Sequence, residues 1–269
     1  MLGNPAVGGM GLVIRSRFPE CHHVMHFMRS RTFATLLAAV VFVHAACPQS
    51  PVDASAPIPK EGNKGFFEKH ESFLARAKAG PIGLLFIGDS ITEGWRKAPH
   101  IWEHYYAKHD AANFGIGGDQ IQHVLWRIEN GELDGIAPRV VVLMIGTNNS
   151  GRHTGGEIAG AVRKIVGMIR ARLPESKVLL LAIFPRGPRV RNGVAEPWEQ
   201  RMEAIRKANA DLATLDDGDN IRFLDMNAAF LGNDGTIPMS IMPDQLHPSR
   251  TGYQAWAEAM QPTLEEMMR

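Results

Sequence analysis

Cysteine is the scarcest of the informative residues. The chain has two, Cys21 and Cys47, so no disulfide framework can staple it and it has to stand on a packed core. A strong excess of charge of one sign is missing too: the formal net charge is +1, and with no basic block the electrostatic footprint of a nucleic-acid binder is absent. No apolar run is long enough to cross a bilayer as a helix. There is no internal repeat and no Gly-x-Ser-x-Gly elbow, and the second absence argues against the ordinary α/β-hydrolase fold. Neither metal-ligand spacing nor a cofactor-binding fingerprint occurs downstream of residue 46, so no metal and no cofactor are expected.

What is present is an ordinary globular composition, 45% hydrophobic and 21% charged over 269 residues, enough for one α/β domain with a full-sized core. The first 46 residues read as address rather than fold. Met28-Arg29-Ser30-Arg31 is a short basic stretch, Ala34–Ala46 carries no charge, and the run closes on Val43-His44-Ala45-Ala46-Cys47. A basic segment, a short apolar segment and small residues at a cleavage point describe a secretory signal. The expected start is Met28 or Met25, with an over-extended frame upstream, and the expected location is exported, periplasmic or extracellular. Cleavage just before Cys47 would allow a lipid anchor there, although His44 suits such a box poorly. Without residues 1–46 the balance is 25 basic against 27 acidic side chains. Cys21, His22, His23 and His26 look like a metal cluster but lie upstream of the signal, which removes them from site reasoning.

Residues 47–64, rich in Pro, Ser and Ala, read as a linker, and residues 65–269 as the folded domain. Phe66–Lys78 has the period of an amphipathic helix. Apolar runs at Gly83–Ile87, Val140–Ile145, Lys177–Phe184 and Ile221–Leu224, with a short one ending at Asn113-Phe114, alternate with helical stretches around Gln120–Asn130, Gly156–Arg172 and Glu199–Leu215. The last helix carries Tyr253, Trp256, Ala257, Met260 and Leu264 on one face. Strands alternating with helices predict an α/β fold, a five-stranded parallel sheet covered on both faces, with Val140–Ile145 central.

Leu84-Leu85-Phe86-Ile87 ends abruptly in Gly88-Asp89-Ser90 before a helix. Open α/β sheets carry their chemistry at the carboxyl ends of strands, which suits Ser90 as a nucleophile. A helix start also favours a developing negative charge. The same stretch taken alone suits Ser90 equally well as a simple N-cap. A serine nucleophile needs a base, a group to orient that base, and donors aimed at the oxyanion. His247 is the candidate base and Asp244, three residues earlier, the candidate orienting acid. His100, His104, His109, His123 and His153 have no such acid in a loop after a strand. Asp89 is expected to fix the turn rather than to serve as the acid.

Four ordered blocks, Gly88-Asp89-Ser90, Asn113-Phe114-Gly115-Ile116-Gly117-Gly118-Asp119, Gly146-Thr147-Asn148-Asn149 and Asp244-Gln245-Leu246-His247, resemble the SGNH (GDSL) hydrolase superfamily. The string His123–Leu133 places the likeness nearest the catalytic α-subunit type of the platelet-activating-factor acetylhydrolases. The resemblance covers about Leu84 to Tyr253. It implies a flavodoxin-like three-layer α/β/α order and a triad of Ser90, Asp244 and His247. It also implies an oxyanion hole from the backbone N–H groups of Ser90 and Gly118 and the amide of Asn148. Ile91, Thr147 and Leu246 would line a small acyl pocket fitting acetyl. The expected activity is hydrolysis of short-chain acyl esters of a small molecule or glycan through an acyl-enzyme. The alternatives are an O-acyltransferase on the same site and a non-catalytic partner-binding module. A homodimer rests on the resemblance alone.

Overall fold

The computed structural model describes residues 52–269. The signal segment, the Cys21–His26 cluster and Cys47 lie outside the described residues. Five strands form one wholly parallel sheet: β1 Leu84–Gly88, β2 Ala111–Gly115, β3 Val140–Met144, β4 Lys177–Leu181 and β7 Ile221–Leu224, in the order β2-β1-β3-β4-β7. A two-stranded antiparallel hairpin, β5 Val190–Arg191 and β6 Val194–Ala195, stands apart from it. The register sets Leu84 beside Ala111 on one side and Val140 on the other, so Gly88, Gly115 and Met144 end level with one another. The helices are α1 Lys64–Lys78, α2 Ser90–Glu93, α3 Pro99–Tyr106, α4 Ile121–Glu129, α5 Gly155–Arg172, α6 Trp198–Ala213 and α7 Arg250–Met267.

The strands are apolar throughout because helices cover both faces. Side chains alternate across the sheet. Leu85, Ile87, Val141, Leu143, Val178 and Leu180 therefore face a core closed by α4, α5 and α6. Leu84, Phe86, Val142, Met144, Leu179 and Leu181 face a second core with Trp95, Tyr106, Phe184 and the Tyr253, Trp256, Met260 and Leu264 stripe of α7. The strand and helix expectations hold in kind and in order. The chain leaves β1 to build β2 on one side and crosses back to build β3 on the other. This divergence opens a crevice at the strand ends, where α/β sheets bind ligands.

Two expectations need correction. The β4 run was expected to continue to Phe184, but its ladder closes at Leu181. Beyond it, the amide side chain of Asn209 in α6 takes over the backbone: Ile183 N donates to Asn209 Oδ1 at 2.8 Å and Asn209 Nδ2 donates to the Ile183 carbonyl at 2.9 Å. A side-chain amide can thus replace a neighbouring strand. The second correction concerns the linker. Within residues 52–63, Ala54 is buried, Ile58 N donates to the Gln122 carbonyl at 3.1 Å, and the Val52 carbonyl pairs with His153 Nε2 at 2.8 Å. The segment is a strap laid across the domain, and composition missed it because its contacts fall on single, non-periodic residues.

Candidate active site

Ser90 is the first residue of α2. Asp89 caps that helix, its Oδ1 accepting from Ile91 N at 2.9 Å, and the first N–H groups of a helix have no intrahelical partner. Ser90 Oγ lies 2.9 Å from His247 Nε2, across 157 residues of sequence. His247 Nδ1 in turn meets Asp244 Oδ2 at 2.7 Å, and its backbone N donates to Asp244 Oδ1 at 2.7 Å. The short loop makes this return because Gln245 adopts a left-handed φ of 60°, a strained choice for a non-glycine residue that tends to cluster at functional sites. Burial alone would raise the Asp244 carboxyl. Hydrogen bonds from the His247 ring and backbone, with the charges of His247 and Arg189, outweigh it and hold the carboxyl well below the usual range. The acid is therefore ionised at every ordinary pH.

The β2 loop brings Gly118 to the same crevice with φ 71°, a conformation glycine adopts without cost. Asn148, after β3, donates from Nδ2 to the Asp119 carbonyl at 2.8 Å and makes only a long 3.4 Å contact with Asp89 Oδ2. Its second amide hydrogen is thus loosely held. The loop is fastened from below by a buried chain of charge. Lys60, in the strap, reaches Asp119 at 2.7 Å and the Gly117 carbonyl at 2.7 Å. Asp119 meets Arg127 Nε at 3.0 Å, and Glu132 links Arg127 to His70, whose Nδ1 lies 2.9 Å away. Arg127 and Glu132 belong to the string His123–Leu133, which here serves as the foundation of the loop. Burial pushes Asp119 up despite Arg127 and Lys60, and burial pushes Asp89 up to about 7. His123 is pushed down to about 4 by burial and by Lys60 and Arg127. Its Nδ1 accepts from Gln120 N at 2.9 Å, closing a capping box on α4.

These groups open on a cavity of about 770 Å³ lined by Ser90, Gly118, Asn148, Leu246 and His247 among others. Of the three residues assigned to an acyl pocket, only Leu246 lines it. Ile91 is buried in the core under α2 and its carbonyl accepts from Tyr253 Oη at 2.7 Å. Thr147 is buried behind Asn148, where its carbonyl and hydroxyl each lie 3.4 Å from Arg186 Nη1. For Ile91 the physical reason is rotation: one residue along α2 turns the side chain by about 100°, whereas Thr147 is directed inward by the turn that follows β3.

Sequence reasoning missed a group of charges lining the same cavity: Lys60, Arg152, Arg186, Arg189 and Arg201, with Glu196. The signal available was the segment Phe184-Pro185-Arg186-Gly187-Pro188-Arg189, which follows the carboxyl end of a parallel strand, where ligand-contacting loops begin. Among the described residues no group of three or more His, Cys, Asp or Glu could hold a metal ion, and no helix is long and apolar enough to cross a membrane.

Residues 86–255 match the model of the GDSL-like lipase/acylhydrolase family. Over 218 residues the chain is 37% identical to the human platelet-activating factor acetylhydrolase IB subunit alpha1, covering 80% of this chain and 90% of that protein. It is 35% identical over 214 residues to the alpha2 subunit of Gallus gallus, covering 78% and 86%. A GDSL-like lipase from Bacteroides thetaiotaomicron shares the fold with a TM-score of 0.60 at 20% identity, over 74% of this chain and 98% of its own. A carbohydrate acetylesterase family member from Sinorhizobium meliloti does so with a TM-score of 0.52 at 13% identity, over 69% and 98%.

Proposed function

The chain belongs to the GDSL-like lipase/acylhydrolase family, and on that footing we propose that it is a serine esterase that removes short acyl groups, acetyl first among them, through an acyl-enzyme. The observation that carries the reading is the unbroken hydrogen-bonded chain from Ser90 through His247 to Asp244 at the sheet's switch point. In the proposed reaction His247 Nε2 takes the Ser90 proton as Oγ attacks the acyl carbon. The resulting oxyanion is received by the Ser90 and Gly118 N–H groups and the loose hydrogen of Asn148. Collapse of the intermediate expels the alcohol, which takes its proton from His247. Water, deprotonated by the same nitrogen, then releases the acid and restores Ser90. Asp244, always ionised, fixes the ring and offsets the imidazolium charge.

Acetyl is favoured by the likeness to the acetylhydrolase relatives. The neighbour described as a carbohydrate acetylesterase supports glycan O-acetyl groups as one substrate class, and export of the chain, expected from the signal-like N-terminal segment, would agree with it. The test is turnover of p-nitrophenyl esters from acetate to laurate, with Ser90→Ala as control. The expected result is a maximum at acetate that vanishes in the variant. A maximum at long chains would overturn the short-acyl reading, and wild-type rates in Ser90→Ala would overturn the mechanism. Silence on every ester would transfer weight to acyl transfer or to a binding module.

A further inference from the structure

The loop that carries Gly118 is a β-turn. Asp119 N donates to the Ile116 carbonyl at 3.1 Å, so Gly117 and Gly118 are its two central residues. The φ of Gly118 is 71°, the positive value that the third position of a type II turn requires, whereas a type I turn needs a negative one. The two types differ by a flip of the central peptide, which here joins the Gly117 carbonyl to the Gly118 N–H. With glycine on both sides of that peptide, both orientations are sterically open. The choice has chemical weight because the C=O and N–H of one trans peptide point in opposite directions. As the loop stands, the Gly118 N–H meets no acceptor among the described residues. The turn also lies beside the nucleophile, since a Cβ added to Gly117 would stand 4.0 Å from Ser90 Cβ. After a flip, a carbonyl oxygen would point where the donor now points, and an oxyanion there would be repelled.

One side chain from outside the turn selects the orientation. Lys60 Nζ donates to the Gly117 carbonyl at 2.7 Å and to Asp119 Oδ1 at 2.7 Å. Its side chain is only 13% exposed, its ammonium stands 5.6 Å from the centre of the Phe66 ring, and the strap is pinned two residues earlier by Ile58 N on the Gln122 carbonyl. Net charge is not its contribution. Lys60 and Arg127 are matched by Asp119 and Glu132, so what the ammonium adds is direction. A hydrogen bond from a charged donor biases two such orientations by roughly ten- to a hundredfold. We infer that Lys60 is a positioning residue for the reaction: it locks the Gly117–Gly118 peptide in the type II orientation and so keeps the Gly118 N–H turned towards the oxyanion. The functional half of this inference rests on the esterase reading. It makes the strap a working part of the site, because the donor set is complete only while Lys60 is seated.

The experiment reads turn type and rate on the same full-length proteins. Nuclear Overhauser contacts join a Gly117 Hα to the Gly118 amide proton in a type II turn, and the two amide protons to each other in a type I turn. The wild-type chain should show the first contact. In Lys60→Met the second should appear, and kcat on p-nitrophenyl acetate should fall at least about tenfold with a smaller change in KM. Lys60→Arg, which keeps a charged donor, should restore the first contact and most of kcat. Gly118→Ala reaches the flip without touching the pair of Lys60 with Asp119, which keeps the test open if Lys60→Met does not fold. Alanine resists a positive φ, while its Cβ would clear Lys60 Nζ by 3.8 Å, so this variant too should show the amide–amide contact and lose kcat. A turn that stays type II in Lys60→Met, or a flipped turn with undiminished kcat in either variant, would overturn the inference. The spectra also keep the two readings apart. A flip in Lys60→Met in a protein that hydrolyses no ester would support the lock and sink the esterase, whereas turnover that depends on Ser90 and is unchanged in Lys60→Met would do the reverse.

Discussion

Asp89 gives the sharpest physical test of the site. It is fully buried between β1 and α2, close to a second buried carboxylate, Asp119, and its folded-state pKa is about 7 against 3.8 in an open chain. A carboxyl raised in this way contributes most below the unfolded value, where both states are protonated. As pH rises from about 4, the unfolded chain ionises and is stabilised by water while the folded Asp89 keeps its proton, so stability falls until pH passes 7. The shift of roughly three pH units is worth about 4 kcal/mol as an upper bound. Asp89→Asn mimics the neutral acid: it keeps an oxygen to accept from Ile91 N and has nothing to titrate. The stability of the variant minus that of the wild type should therefore climb by up to about 4 kcal/mol between pH 4 and pH 8, or about 10 °C in Tm. Other groups titrate in both proteins and cancel. Urea denaturation across this range measures the difference directly. A difference that stays flat with pH would refute the reasoning, whatever its mean, because it would show that Asp89 ionises in the fold as it does in water.

The triad makes a graded prediction. His247→Ala should cost about 10⁵–10⁶ in kcat, and Asp244→Asn less, about 10³–10⁴, because the acid orients while the base moves protons; equal losses in a p-nitrophenyl acetate assay would contradict that division. Lys60→Met removes both the 2.7 Å contact with Asp119 and the 2.7 Å contact with the Gly117 carbonyl. Leaving Asp119 to Arg127 alone should cost about 3 kcal/mol in urea denaturation. Loosening the Gly118 donor should lower kcat at least about tenfold with a smaller change in KM.

The parts of the fold that were legible in the sequence are those written in repeating patterns. Val140–Met144 could be recognised as a central strand because a strand buried on both faces has to be apolar at every position. Tyr253, Trp256, Met260 and Leu264 showed their common face because a helix repeats every 3.6 residues. Ser90, Asp244 and His247 were legible for another reason: the spacing of an acid three residues before a histidine, and a strand broken by Gly88-Asp89-Ser90, are local marks of a contact that closes across 157 residues. What escaped has no period and no local mark. Lys60 lies in a stretch whose Pro and Ser content is that of a free linker, and only the fold shows that its ammonium completes the support of the oxyanion loop. Arg186 and Arg189 sit in an irregular segment where the side-chain direction depends on turns that propensity does not specify. Ile91 and Thr147 were placed on the pocket wall by adjacency in sequence, and adjacency is a poor guide at a helix start or in a turn, where successive side chains point in different directions.

The charges around the cavity divide its work. Near the place where the oxyanion of the proposed reaction would form, the carboxylates of Asp89 and Asp119 are buried, and left bare they would oppose it. Asp119 is matched by Lys60 and Arg127, whereas Asp89 has no cation in contact and is neutral up to about pH 7 by keeping its proton. A neutral Asp89 also makes a weak claim on Asn148, through a contact of 3.4 Å, so the amide is free to turn towards the substrate. Elsewhere in the cavity lining the logic is reversed: among the described residues Arg152 and Arg201 have no carboxylate partner, and their charge is left unneutralised. The proposed catalytic set stands at the ends of β1 and β3 and in the loop before α7, while the unmatched cations Arg152 and Arg201 stand in the turn after β3 and on α6. Arg189 belongs to both groups, since its contact with Asp244 at 2.9 Å joins the cavity lining to the proposed triad, so Arg189→Gln should lower kcat in a p-nitrophenyl acetate assay.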